Sequence, residues 1–167
     1  MFDTKELFMA DTSTSTVGFA PDEVATGEPT RAARLKWVVV VEEGTPPGRA
    51  VNAAVCVAAA TSQAVVGLVG PDAEDADGSV HPGLPWAGCT ILSATAEQLA
   101  ALRSRAAASD GVHIADMPAA AQQTRVYDAY LERVATTPGA ELGYSALSLV
   151  GPRNRVSKMV RGLSLLS

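Results

Sequence analysis

A chain of 167 residues, 47% hydrophobic and 19% charged, can bury one sizeable core and needs neither a metal nor a disulfide framework to fold. Its formal net charge of −5 sets the overall field against nucleic-acid phosphates, whose binding needs basic surface. No apolar run approaches the roughly 20 residues that span a bilayer, and Met1-Phe2-Asp3-Thr4-Lys5-Glu6 has no basic-then-apolar signal pattern, so a cytoplasmic protein is expected.

Residues 9–30 are rich in Thr, Ser, Asp, Glu and Pro, so residues 1–30 read as an irregular N-terminal extension and 31–167 as the folded domain. Leu35-Lys36-Trp37-Val38-Val39-Val40-Val41 is β-branched without polar alternation, as in a strand buried on both faces. Gly44-Thr45-Pro46-Pro47-Gly48 ends it, and the alanine-rich segment from Arg49 to about Ala64 suits a helix packed closely on a sheet. Val65 to Val69 reads as a short strand, and 70–88 as a long loop carrying Asp72, Glu74, Asp75 and Asp77. Cys89-Thr90-Ile91-Leu92 is a second strand, followed by a capping box in which Thr95 and Gln98 open a helix ending near Asp110-Gly111.

Val112-His113-Ile114-Ala115 reads as a strand ending at Asp116, and Pro118 as the first turn of a helix over about 118–137 with Val126, Tyr130, Leu131 and Val134 on its core face. Tyr144 to Val150 is the last strand, and Gly151-Pro152 leads into a helix from Arg153 to Arg161 stopped by Gly162. The pattern predicts an α/β domain of three layers, a mixed sheet of about four strands (36–42, 89–93, 112–115 and 144–150) with helices on both faces.

Three segments carry a family resemblance: residues 35–41 with Pro47-Gly48-Arg49-Ala50-Val51-Asn52-Ala53-Ala54, Thr95-Ala96-Glu97-Gln98-Leu99 leading to Ile114-Ala115-Asp116, and Gly151-Pro152 with Val156, Val160 and the closing Gly162-Leu163-Ser164-Leu165-Leu166. Together they are similar to domain-of-unknown-function family 2000 over about residues 31–167. The same skeleton resembles the type II peptidyl-tRNA hydrolases, which implies their fold, a homodimer and cleavage of a peptidyl-tRNA ester. The residues of that chemistry are replaced, however. Arg49 stands alone where the enzymes have paired lysines, Ala53-Ala54-Val55-Cys56-Val57 holds no histidine, and Ala146, beside Ser145, takes a threonine's place. Asp116 does match the enzymes' aspartate after the third strand.

Candidate site residues follow from this frame. Asn52 is an amide in an otherwise apolar helix, which reads as a ligand contact or as a structural bond to a nearby loop. Gly48 and Arg49 open a helix after a strand, where free N–H groups and the dipole attract anions; the plain alternative is a surface arginine paired with Glu42 or Glu43. Asp116 is a helix N-cap or a general base. With Asn52 and Asp116 as the catalytic pair and Gly48, Arg49 and Arg153 as ligand contacts, Arg49, Asn52 and Asp116 are expected to converge at one end of the sheet, near Arg153. His81 reads as an exposed loop residue or an acid-base group, and His113 as structural.

Asp75-Ala76-Asp77-Gly78 resembles a fragment of a calcium loop without the remaining ligand spacing, and no zinc spacing is present, so neither metal nor cofactor is expected. Cys56 and Cys89 read as reduced, buried thiols. The expected partner is a small molecule, with no nucleic acid and no membrane. The leading expectation is a domain that binds a small anionic acyl or amide compound, with its hydrolysis as an extension. A non-catalytic dimeric binding or regulatory module and a peptidyl-tRNA hydrolase are the alternatives.

Overall fold

The computed structural model describes residues 16–167. In chain order the elements are β1 (Leu35–Glu42), α1 (Pro47–Ala64), a small hairpin of β2 (Ala73–Glu74) and β3 (Val80–His81), β4 (Thr90–Ala94), α2 (Ala96–Ala107), β5 (His113–Pro118), α3 (Tyr127–Thr136), β6 (Tyr144–Pro152), α4 (Arg153–Met159) and β7 (Ser164–Leu165). The main sheet has the order β5-β6-β1-β4-β7. Only β1 and β4 run parallel, joined by α1 as the crossover; the other pairs are antiparallel, so the sheet is mixed.

The valine run explains the layering. Successive side chains of a strand alternate between faces. Val39 and Val41 face α1 and pack with Ala50, Ala53 and Val57, whereas Val38 and Val40 face α2 and α4 and pack with Leu99, Leu102 and Val156. The buried positions of α1, namely Ala50, Ala53, Val57 and Thr61, recur at helical spacing, and their small size brings that helix close to the sheet. The capping box forms as expected: the Gln98 N–H donates to Thr95 Oγ1 at 3.2 Å, and the Thr95 N–H donates to Gln98 Oε1 at 2.9 Å.

Five expectations are corrected. Val65 to Val69 forms no strand. It makes isolated bridges, Val66 to Gly18 and Val69 to Pro85, because its partners are loop segments and Gly67 breaks the extended path at φ +71°. The sheet gains a fifth strand, β7, whose two residues are too few to show alternation in sequence. The helix over 118–137 is divided: Pro118 closes β5, a 3-10 turn covers Ala119–Gln122, and α3 begins only at Tyr127. No residue of α3 is buried, and Leu131 stays half exposed, so its apolar stripe is not a core face. Finally, Cys56 and Cys89 are free but exposed.

Part of the N-terminal extension packs on the domain. Phe19 is buried against the α1 side of the sheet and packs on Trp86 with the rings tilted by 58° and their centres 4.8 Å apart, and Arg34 donates to Glu23 and to the Gly18 carbonyl. That hydrogen bond from Arg34 holds the Glu23 carboxyl at about 2, below the usual carboxylate range. Residues 1–15 lie outside the described region.

On the edge strand β5, Nε2 of His113 is closed off from water and has no hydrogen-bond partner among the described residues. Burial therefore lowers its pKa and keeps the folded ring neutral. Below the unfolded value of about 6.5 the unfolded chain binds the extra proton, so this contribution is complete above that pH and is lost as pH falls toward the folded value. The wild type should lose more stability than His113→Leu between about pH 7.5 and 5.5, read from denaturant midpoints. Parallel profiles for the two proteins would rule the effect out.

Candidate functional site

The carboxyl end of β1 and the start of α1 frame the candidate site. The chain leaves β1 at Glu42, turns through Gly44 at φ +75°, and enters α1 at Pro47, where the missing N–H of proline is harmless. Arg49 and Asn52 lie about one turn apart on α1, and both are exposed. Asn52 is therefore not a buried amide, because the helix turns this position outward, away from the face that packs on the sheet.

Gln122 joins the two. Its Nε2 donates to the Arg49 carbonyl at 2.8 Å and to Asn52 Oδ1 at 3.1 Å, while its Oε1 accepts from Arg49 Nε at 3.1 Å. No ion pair links Arg49 to Glu42 or Glu43 among the described residues. The guanidinium keeps its terminal nitrogens available. Gln122 sits in the 3-10 turn after β5, seventy residues or more from its partners along the chain.

Two separate cavities border this cluster. One, of about 340 Å³, is polar and includes Glu42, Glu43, Arg49, Gln122 and Ser145 in its lining. The other, of about 490 Å³, is a mixed groove that includes Asn52, Cys56, Asp116, Met117, Tyr127 and Tyr130. Tyr127 and Tyr130 pack on each other at 5.5 Å. Ser145 owes its place to a β-bulge. Met117 pairs with Ala146 and Pro118 with Tyr144, which leaves Ser145 as the extra residue on β6. Only 6% of Ser145 is exposed, and its hydroxyl has no partner among the described residues.

The remaining expected residues fall in different places. Gly48 lies in the first turn of α1. Asp116 is not an N-cap, because it lies inside β5 opposite Leu147; its Oδ2 accepts from Arg103 Nε at 3.0 Å, and it contributes to the groove with Asn52. Arg153 does not join the others. Its Nε and Nη2 donate to the Ala33 and Thr30 carbonyls, beside a separate cavity that contains Lys36 and Thr90. The cause is strand direction: β6 is antiparallel to β1, with Leu35 opposite Pro152 and Val41 opposite Ala146, so α4 starts at the end of the sheet opposite α1.

His81 is exposed in the small hairpin and contacts Asp75 at 3.3 Å. Asp75 accepts from the Asp77 and Ser79 N–H groups, and Asp72 from the Gly83 N–H, so these acids build turns. No group of three or more metal-ligating side chains occurs among the described residues. A fourth cavity, of about 500 Å³, is lined by apolar side chains including Val51, Val55, Ile91 and Leu166. No described helix is long and apolar enough to cross a membrane.

Sequence reasoning missed Gln122 and gave Ser145 no role. Ala119-Ala120-Ala121-Gln122-Gln123 reads as the interior of a helix, and a one-residue bulge leaves no periodic mark. The one available signal was the position of Ser145 beside Ala146 at the start of the last strand.

A family model described as "Protein of unknown function (DUF2000)" matches residues 35–167. No curated protein matches the chain. A solved structure of a protein of unknown function from Agrobacterium tumefaciens is similar at a TM-score of 0.71 and 16% identity, over 80% of this chain and 98% of that one. At that identity the likeness concerns the fold alone.

Proposed function

We propose that this chain, which belongs to the DUF2000 family of proteins of unknown function, has a fold like the type II peptidyl-tRNA hydrolases and binds a small anionic acyl or amide compound at the start of α1. The observation that carries this reading is the Gln122 bridge, which holds Arg49 and Asn52 together between two cavities. The Arg49 guanidinium and the Gly48 N–H at the positive end of α1 supply the anion contacts. The Asn52 amide, oriented by Gln122, meets the carbonyl.

Hydrolysis is an extension of the same site. The Arg103 ion pair fixes Asp116 through Oδ2, and its Oδ1, with Asn52, is the pair that would orient a water in the groove. Peptidyl-tRNA is the less favoured ligand, because a net charge of −5 opposes its phosphates.

The test is an NMR titration of the ¹⁵N-labelled protein with a panel of small carboxylates and carboxamides. Saturable shifts should centre on Gly48, Arg49, Asn52 and Gln122. A panel that leaves these amides unmoved at millimolar concentration ends the reading.

A further inference from the structure

We infer that the ligand of the polar cavity is an amino-acid-like zwitterion, with a carboxylate and an ammonium on one small molecule. The inference rests on the anion contacts of the binding reading above and adds an ammonium to the ligand that carries the carboxylate. Three features of the same cavity lead to it.

The first is the cationic side. Arg49 faces the cavity from the first turn of an 18-residue helix, whose N-terminal end carries partial positive charge. Second, Ser145 is more than nine-tenths buried, is placed there by the bulge, and lines the cavity with a hydroxyl that has no partner among the described residues. That hydroxyl is not sealed from water, so a polar atom of a ligand can take the water's place on it. Third, Glu42 and Glu43 line the same space, and neither forms an ion pair among the described residues.

Charge then decides the ligand class. One arginine against two glutamates leaves the cavity acidic before anything binds. A simple anion would be drawn to Arg49 and repelled by the glutamates, and a simple cation would leave Arg49 and the helix end unanswered. A zwitterion matches both sides: its carboxylate meets Arg49 and the Ser145 hydroxyl, and its ammonium meets Glu42 and Glu43. The neighbouring groove, with Met117, Tyr127 and Tyr130, offers an apolar place for a side chain.

The experiment uses the full chain and three sets of probes: the standard amino acids, their N-acetyl forms, which lack the ammonium, and their amides, which lack the carboxylate. Affinities are read from NMR shifts of Gly48, Arg49, Gln122 and Ser145. At least one free amino acid should bind about tenfold or more tighter than either derivative, as expected for loss of one charge contact. Glu43→Gln should reduce the preference over the N-acetyl form, with Glu42 still in place, while leaving the thermal midpoint unchanged, since Glu43 is exposed. If N-acetyl forms bind as tightly as free amino acids, the zwitterion inference is overturned and the anion site stands. If amides bind as tightly, or no probe of any set binds, the inference and the underlying reading both fall.

Discussion

Gln122→Ala is expected to weaken carboxylate binding by about 30-fold while leaving the fold intact. Two of the three hydrogen bonds made by this one side chain hold the Arg49 guanidinium and the Asn52 amide in place, and the third ties it to the Arg49 backbone carbonyl. Without them both side chains must be ordered by the ligand itself, and that entropy is charged to binding. Ordering two side chains at ~1 kcal/mol each costs about 2 kcal/mol, or roughly 30-fold in affinity. Gln122 lies on the surface in a short turn, so stability should change by no more than ~0.5 kcal/mol. Calorimetric titration of wild type and variant, with thermal midpoints alongside, provides the check. Equal affinities would show that Arg49 and Asn52 do not need the bridge and would remove Gln122 from the site.

The second large effect lies in the core. Between β1, β6 and α1 a chain of buried polar groups runs from the Trp37 indole N–H to Ser148 Oγ at 2.8 Å, from Ser148 to Thr61 Oγ1 at 2.7 Å, and from Thr61 Oγ1 to the Val57 carbonyl at 2.8 Å. Ser148 and Thr61 are fully buried. Each hydroxyl can accept one hydrogen bond and pass its own proton on, so every member is satisfied. Ser148→Ala leaves the indole N–H without an acceptor in a region closed to water and should destabilise the protein by ~1–3 kcal/mol. Adding Thr61→Val should cost less than the sum of the two single changes, because the links share one network. Denaturant unfolding measures both. A loss below ~0.5 kcal/mol for Ser148→Ala would mean that the indole finds another acceptor.

The sequence alone determined the layers. Four consecutive valines cannot sit on a strand with a wet face, so Val38 to Val41 dictated a sheet covered on both sides, and the alanine spacing of α1 dictated one of the covers. The Thr95–Gln98 box was equally legible, because its partners are three residues apart and its hydrogen bonds are local. What the tertiary structure decided depends on contacts between distant residues. Strand direction is one case: the antiparallel pairing of β6 with β1 sends Arg153 to the end of the sheet away from Arg49, although both follow a strand in the sequence. The Ser145 bulge is another, since an extra residue exists only relative to its neighbour strand β5. The stripe of α3 is a third; helical periodicity marks a face as apolar, but only the packing shows that no core lies against it. Gln122 combines these reasons. Its partners Arg49 and Asn52 are remote along the chain, and its orientation is set by a short turn where β5 ends rather than by any local propensity, so the bridge at the centre of the proposed site became visible only when the chain was folded.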